Sequence, residues 1–247
     1  MVSKTKLIRL DRFLSNCGHG SRSQVTTLIK RGYVTIDGFV SRSGSTRISS
    51  TSTICIDGIE VTESPPVMLW HKPVGIQCTQ GDPLGRPSLL EVIPPDILTR
   101  FHPVGRLDAD TSGLLLFSRI GALTQRLLHP KHQLSRRYIA TCENAFSNEH
   151  VSALTTGVST SLGTFSAKVA SFDNNRIELS VTEGKYRMVR RMLANVGQPV
   201  LTLQRIEYGP FALANLPLEE FRSPTNDEFE AAIALGLPGF DQPMGSA

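Results

Sequence analysis

"HPVGRLDADTSGLLLFSR", residues His102 to Arg119, is the stretch on which the reading turns. A polar loop carrying Arg106, Asp108 and Asp110 runs straight into the apolar, strand-like run Leu114 to Phe117. Carboxylates beside an arginine at the mouth of a buried strand allow three readings: a salt-bridged turn, a metal site, or a carboxylate that does chemistry.

Working outward, further β-like runs appear at Val67 to Trp70, Tyr138 to Cys142, Phe165 to Phe172, Ile177 to Val181 and Val200 to Arg205. Helical patterns fall between some of them, at Ala122 to Leu128, Asn148 to Leu154 and Arg187 to Val196. Strands with interspersed helices and no fixed repeat predict an α+β domain with a mixed, largely antiparallel sheet, spanning 65–235. The stretch from 236 to 247 reads as a flexible tail.

Before this domain lies "IRLDRFLSNCGHGSRSQVTTLIKRGYVTIDG". Leu10, Phe13 and Leu14 fall on one helical face, Gly18, His19 and Gly20 break the pattern, and Ser21 is an N-cap for a second helix. There Val25, Leu28 and Ile29 repeat the spacing and Gly32 suits the position after the last turn. "YVTI" alternates like a strand, and Asp37-Gly38 is a turn dipeptide. The prediction is a small helix-turn-helix-plus-strand domain over 1–64, joined at "VTESPPV" by a short stiff linker that Glu63, Ser64, Pro65 and Pro66 keep out of helix or central strand.

Charge sharpens that division. The chain of 247 residues carries a net +4 and is 40% hydrophobic, enough for a sizeable core. Between Met1 and Ser64 nine Lys and Arg face five Asp and Glu, so the whole excess sits in the small domain. Its basic residues lie at the ends and outer faces of the helices. A solvated face is the plain explanation; a phosphate-binding face suits a domain too small to do much else. Cys17, Cys55, Cys78 and Cys142 form no C-x-x-C pair, and no secretory signal or membrane-length apolar run occurs, so buried thiols and a cytoplasmic location are expected, with an organelle open for a eukaryotic source.

Several chemistries fall away. Asp108 and Asp110 make a D-x-D without a third carboxylate nearby, and Arg106 would repel a cation. "HPKH" holds His129 and His132 around a proline that disfavours a helical clamp, and no cysteine has metal-ligand spacing. Neither phosphate-loop nor dinucleotide fingerprint is present. Cys78 has no partner that would activate it, and Ser112 in "DTSGL" is not a nucleophile elbow. A carboxylate with a cationic partner remains. "EGKYRMVRRML" supplies Lys185, Arg187, Arg190 and Arg191, with Arg187 and Arg191 one turn apart and Met188, Met192, Leu193 and Val196 near one apolar stripe. Either that helix faces solvent or RNA, or one arginine turns inward to hold a buried carboxylate ionised.

Taken in order, the N-terminal stretch, "HKPVGIQCT", "PVGRLDADTSGLLLFS", "SRRYIAT" and "EGKYRMVRRM" resemble the RsuA/RluB/RluE/RluF class of ribosomal RNA pseudouridine synthases, up to roughly Asp227. The first part resembles the RNA-binding domain named after ribosomal small-subunit protein four. The resemblance implies that Asp108 is the catalytic aspartate, Tyr138 packs on the target uracil, and Arg190 pairs with the aspartate. It implies that Arg106 holds the extruded nucleotide or fills its space, and that Lys72 belongs to a motif supporting the floor of the site. Candidate RNA contacts are then Arg9, Arg12, Ser21, Arg22, Lys30 and Arg31 in the first domain, with Lys72, Arg106 and Lys185 in the second. Met188 departs from the family, where that position is usually polar; it cannot donate the same hydrogen bond.

Such a reaction breaks a C–N glycosidic bond, turns the uracil and rejoins it through carbon, so the base must be flipped into a pocket and stacked. An ionised carboxylate could attack the anomeric carbon or remove a sugar proton, and the sequence does not separate these. No cofactor and no metal are expected; the expected partner is ribosomal RNA, free or within an assembling subunit, and the expected state is a monomer. The compact length leans toward a small-subunit enzyme. The rival readings are a non-catalytic RNA-binding or ribosome-assembly factor on the same fold, a structural nucleic-acid-binding module, and the same reaction on transfer RNA.

Overall fold

The computed structural model describes residues 7–49, 51–61, 65–79, 81 and 85–240. The described chain divides into two units, one ending at Pro66 and the other running from Val67 to Phe240. Lys4 and Lys6, the linker residues Glu63 and Ser64, and residues 241–247 lie outside the described residues.

In the first unit the apolar faces read from the spacing close one small core of Leu10, Leu14, Val25, Ile29 and Val34, joined by Ile48 and Ile54. The helices are Leu10–Asn16 and Arg22–Arg31. Ser21 caps the second through a reciprocal box with Gln24, and Gly32, at φ 85°, takes the left-handed conformation that ends it. The strand Val34–Ile36 turns through Asp37 and Gly38, both at positive φ, as a tight hairpin requires. A second hairpin repeats the device at Asp57-Gly58, between Ile54–Ile56 and Ile59–Glu60, and completes a four-stranded antiparallel sheet.

The second unit is built on nine strands with a mixed, largely antiparallel order. From one edge run Lys168–Asp173, Arg176–Val181, Arg136–Cys142, Val200–Tyr208, Thr111–Ser118, Val67–Lys72 and Phe221–Arg222. Among the described strands of this sheet, only the pairing of Val200–Tyr208 with Thr111–Ser118 is parallel. Thr111–Ser118 is central and apolar on both sides, because both faces are covered. Leu114 and Leu116 point into a layer with Leu123 and Leu127 of the helix Gly121–Leu128 and Phe229 of the helix Asn226–Ala234. Leu115 and Phe117 point into the other, with Met188, Met192 and Leu193 of the helix Met188–Asn195 and Leu154 of the helix Asn148–Thr156. The two-residue alternation of a strand produces this split.

Three expectations need correction. The run Phe165 to Phe172 is not one strand: Gly163–Phe165 pairs with Val158–Thr160, and Lys168–Asp173 joins the main sheet, because buried Ala167 turns its N–H to Leu154 O at the end of a helix. The helix expected from Arg187 starts at Met188, since Arg187 sits at φ 52° as its N-cap. The flexible tail does not begin at 236: Leu237 and Phe240 are buried, and the Phe240 ring packs against Phe211 and Phe229 at 5.7 and 5.0 Å. Burial of that ring outweighs the entropy of ordering the segment.

Replacing Phe240 by Ala therefore removes a fully buried ring and should cost about 3 kcal/mol or more. The lone Trp70, buried in this unit, reports it as a lower urea midpoint in tryptophan fluorescence; an unchanged midpoint would show the segment to be dispensable.

Candidate active site

The site is assembled around a buried ammonium. Lys72 closes the strand Val67–Lys72 and has no exposed surface. Its Nζ donates to four backbone carbonyls: Pro73 O and Thr111 O, each at 2.9 Å, Asp108 O at 3.2 Å and Ala109 O at 3.4 Å. Three N–H bonds serve four oxygens, so at least one is shared. The turn is closed further by Thr111 N–H to Asp108 O and Gly75 N–H to Ala109 O. Asp108 thus sits on a backbone fixed from beneath, and burial lowers the affinity of Lys72 for its proton.

The Asp108 carboxyl is half-buried in a cleft of about 700 Å³ that Tyr138, Leu203, Arg205 and Arg106 also line. Burial raises its pKa; the charges of Arg187, Arg190 and Lys72 oppose the shift, and Asp110 adds to it. Among the described residues it makes no ion pair within 4.0 Å. The expected Asp108–Arg190 pair is therefore corrected. Arg190 does turn inward, its side chain 10% exposed, but Nε lies 3.3 Å from Asp110 Oδ2 and Nη2 donates to Asp110 O at 2.6 Å. Arg187 grips the same carboxylate with both ends of its fork, at 3.0 and 2.8 Å. Asp110, the second carboxylate of the loop, is thus the anchor of two arginines. Burial alone would raise its pKa, and the Arg187 bonds with the Arg190 charge bring it below the usual value. Arg191, expected beside Arg187, instead bonds Ser161 and lies over the Tyr186 ring.

One row of residues runs across four adjacent strands beneath the cleft, and Tyr138 and Arg205 of that row line it. Tyr138 is opposite Arg205, Arg205 beside Gly113, and Gly113 opposite Lys72. Residues in register share a face, so Tyr138, Arg205 and Lys72 rise from the same side. Gly113 stands at φ 106°, and a Cβ there would lie 2.2 Å from Arg205 O, so only glycine lets the two strands meet. Between Tyr138 and Arg137 the register slips, leaving Ile206 without a partner on that strand; such a bulge redirects side chains beside a site. Met188 is buried in the core, consistent with its apolar departure from the expected pattern.

The expected RNA contacts sort by burial. Lys72 cannot touch RNA, because it is fully buried and its donors are taken. Arg106 and Lys185 are exposed on the lining of the cleft and have no ion partner among the described residues. In the first unit Arg9 and Arg22 both bond buried Asp11, whose pKa their hydrogen bonds, Arg9 first, hold down. Ser21 is exposed and engaged as the helix cap. Arg12, Lys30 and Arg31 are exposed, with no ion pair among the described residues. Among the described residues no group of three metal-ligating side chains is gathered, His132 contacts Arg126, and the four cysteines form no disulfide. No helix among the described residues is long and apolar enough to cross a membrane. A second cleft of about 710 Å³ includes Arg137, but Glu178 and Glu207 already neutralise it.

Comparison with known proteins agrees with this organisation. Residues 66–195 match the RNA pseudouridylate synthase family and residues 8–54 the S4 domain. The chain is 34% identical over 221 residues to ribosomal large subunit pseudouridine synthase B of Yersinia pestis, covering 85% of this chain and 69% of the relative. The protein of the same name from Bacillus subtilis is 32% identical over 239 residues, covering 94% and 98%. A solved structure, titled a crystal structure of pseudouridylate synthase, superposes with a TM-score of 0.62 at 30% identity, covering 91% of this chain and 99% of that one.

Two measurements test this geometry. In a carboxyl carbon NMR titration Asp108 should take up its proton above the ordinary aspartate value of about 3.9. Asp110→Asn should move that titration to lower pH, because it removes a neighbouring negative charge that raises the Asp108 pKa; movement to higher pH would contradict the arrangement. Lys72→Met keeps the stem but strands the carbonyls, and should lower stability by about 1–3 kcal/mol in urea unfolding without changing affinity for RNA.

Proposed function

This chain belongs to the RNA pseudouridylate synthase family, and from that premise we propose that it isomerises uridine to pseudouridine in ribosomal RNA, using Asp108 on a base flipped into the cleft. The observation that carries the proposal is Asp108 itself: a half-buried carboxylate with no ion partner among the described residues, on a loop pinned by Lys72, in the cleft that Tyr138 lines. The curated relatives are named as large-subunit enzymes. That supports ribosomal RNA of the large subunit as the substrate, against the lean toward the small subunit that the compact length suggested.

The geometry supports a division of labour. Tyr138 presents a stacking face for an unstacked pyrimidine. Asp108 supplies an ionised oxygen to the sugar, either by adding at C1′ or by taking the C2′ proton. Arg187 and Arg190 neutralise Asp110, so the second carboxylate does not load the site with an uncompensated charge. Arg106 and Lys185 at the cleft offer cations to phosphates, and Arg12, Lys30 and Arg31 do so on the small N-terminal unit.

The experiment is a single-turnover assay on large-subunit ribosomal RNA fragments, with pseudouridine read by chemical mapping. Asp108→Asn preserves shape but removes the nucleophilic charge and should slow product formation on the order of 10⁴-fold with RNA affinity retained. Turnover near that of the wild type would overturn the assignment.

A further inference from the structure

Among the described residues that line the cleft, Arg205 is one of three, with Thr111 and Arg190, that bury a side-chain polar atom without a hydrogen-bond partner. It is 3% exposed, opposite Tyr138 and beside Gly113 in the floor of the site. Its Nε donates to Leu114 O at 2.8 Å, and its guanidinium lies 5.0 Å from the centre of the Tyr208 ring. Its Nη2 is buried and has no acceptor among the described residues. A buried charged donor without an acceptor is costly, and so is burying the charge itself. The sheet does not demand it, since Leu203, the next residue on the same face, is apolar and buried. Lys72, the other cation of the row, has every donor engaged by carbonyls. Arg187 and Arg190 are held at Asp110, where Arg190 Nε, though lacking hydrogen-bond geometry, faces a carboxylate oxygen. Among the described residues, Arg205 alone combines a buried charge, a spare donor and a place beside the residue that would stack the base.

We propose that Arg205 donates its Nη2 N–H to a carbonyl oxygen of the flipped uracil and stabilises the negative charge that the base acquires as it leaves the sugar. The proposal rests on the isomerase reading above. When the C1′–N1 bond breaks, its electron pair goes to the ring and spreads over N1, O2 and O4. The sugar is compensated either by an Asp108 oxygen bonding C1′ or by loss of the C2′ proton to that oxygen; in both cases the base departs as an anion. A prepositioned guanidinium acts only as that charge develops, the condition for speeding the step rather than merely tightening binding. The Leu114 carbonyl and the Tyr208 ring fix its plane beforehand.

The test compares Arg205→Met and Arg205→Lys with the wild type on a ribosomal stem-loop carrying uridine or 5-fluorouridine at the target, reading single-turnover cleavage of C1′–N1 and RNA affinity. Fluorine at C5 stabilises the departing anion, so the fluorinated base needs the guanidinium less. Arg205→Met should slow cleavage of uridine RNA by about 100-fold, with affinity within about threefold, and the loss should shrink severalfold on the fluorinated RNA. Arg205→Lys keeps a cation in the row and supplies the same comparison should the methionine variant not fold. Equal losses on both RNAs, or no loss in a folded variant, would overturn the role. A wild type that converts no uridine would instead refute the isomerase reading.

Discussion

The site depends on one buried ammonium. Lys72 takes the place that an apolar residue would fill at the end of a central strand and spends all its donors on carbonyls of its own loop and of the Asp108 turn. Taking a charge out of water is unfavourable, and only dense coordination by oxygen dipoles makes it tolerable. That cost has a structural return. A turn that must accept an interior cation has few alternative conformations, so the backbone beneath Asp108 is fixed by electrostatics as well as by the strand that follows. The apolar run Leu114 to Phe117 anchors one end of this turn and the ammonium anchors its middle.

The other elements follow from the register that brings the row together. Lys72, Gly113, Arg205 and Tyr138 come from four segments that are far apart in sequence, and they meet only because the parallel pairing of Val200–Tyr208 with Thr111–Ser118 fixes their offset. A slip of one residue would send Arg205 and Tyr138 to the opposite face. Gly113 guards that register, because any side chain there would collide with the Arg205 backbone. The bulge at Ile206 sits just beyond it and lets Arg136 and Tyr208 bond each other at 2.8 Å without carrying the row with them.

This explains what was legible in the sequence. The helix faces of the first unit, its capping serine and the Asp37-Gly38 turn are local signals, and each forms where its own residues dictate. The second hairpin at Asp57-Gly58 repeats that signal. The helix Asn226–Ala234 carries a comparable one in Thr225 and Glu228, which form a capping box. Lys72 was placed by the family resemblance alone, and Arg205 was not singled out at all. In a sequence each is a cation in a strand, suited to a solvated edge, and their burial is a consequence of register. The arginine assignment failed for a related reason. Asp108 and Asp110 are two positions apart, and which of them receives Arg187 and Arg190 depends on where the loop points each carboxylate, a matter that Lys72 decides and spacing does not.

The arginines on Asp110 also bear on how Asp108 can work. A carboxylate clasped by a guanidinium fork is a weak base and a weak nucleophile, because the pair has already neutralised its charge. Here the Arg187 fork is taken by the Asp110 carboxylate and Arg190 donates to the backbone oxygens of Asp110 and Val200, so Asp108 feels both arginines through space without surrendering its oxygens to either. Burial then makes those oxygens more basic than in water, while the surrounding cations keep the ionised form accessible. Either route of the proposed reaction, addition at the sugar carbon or capture of the sugar proton, needs an oxygen that is charged, fixed and not already bonded. A single carboxylate can meet all three conditions only if its orientation comes from the backbone rather than from an ion pair, and in this protein that backbone is the one Lys72 holds.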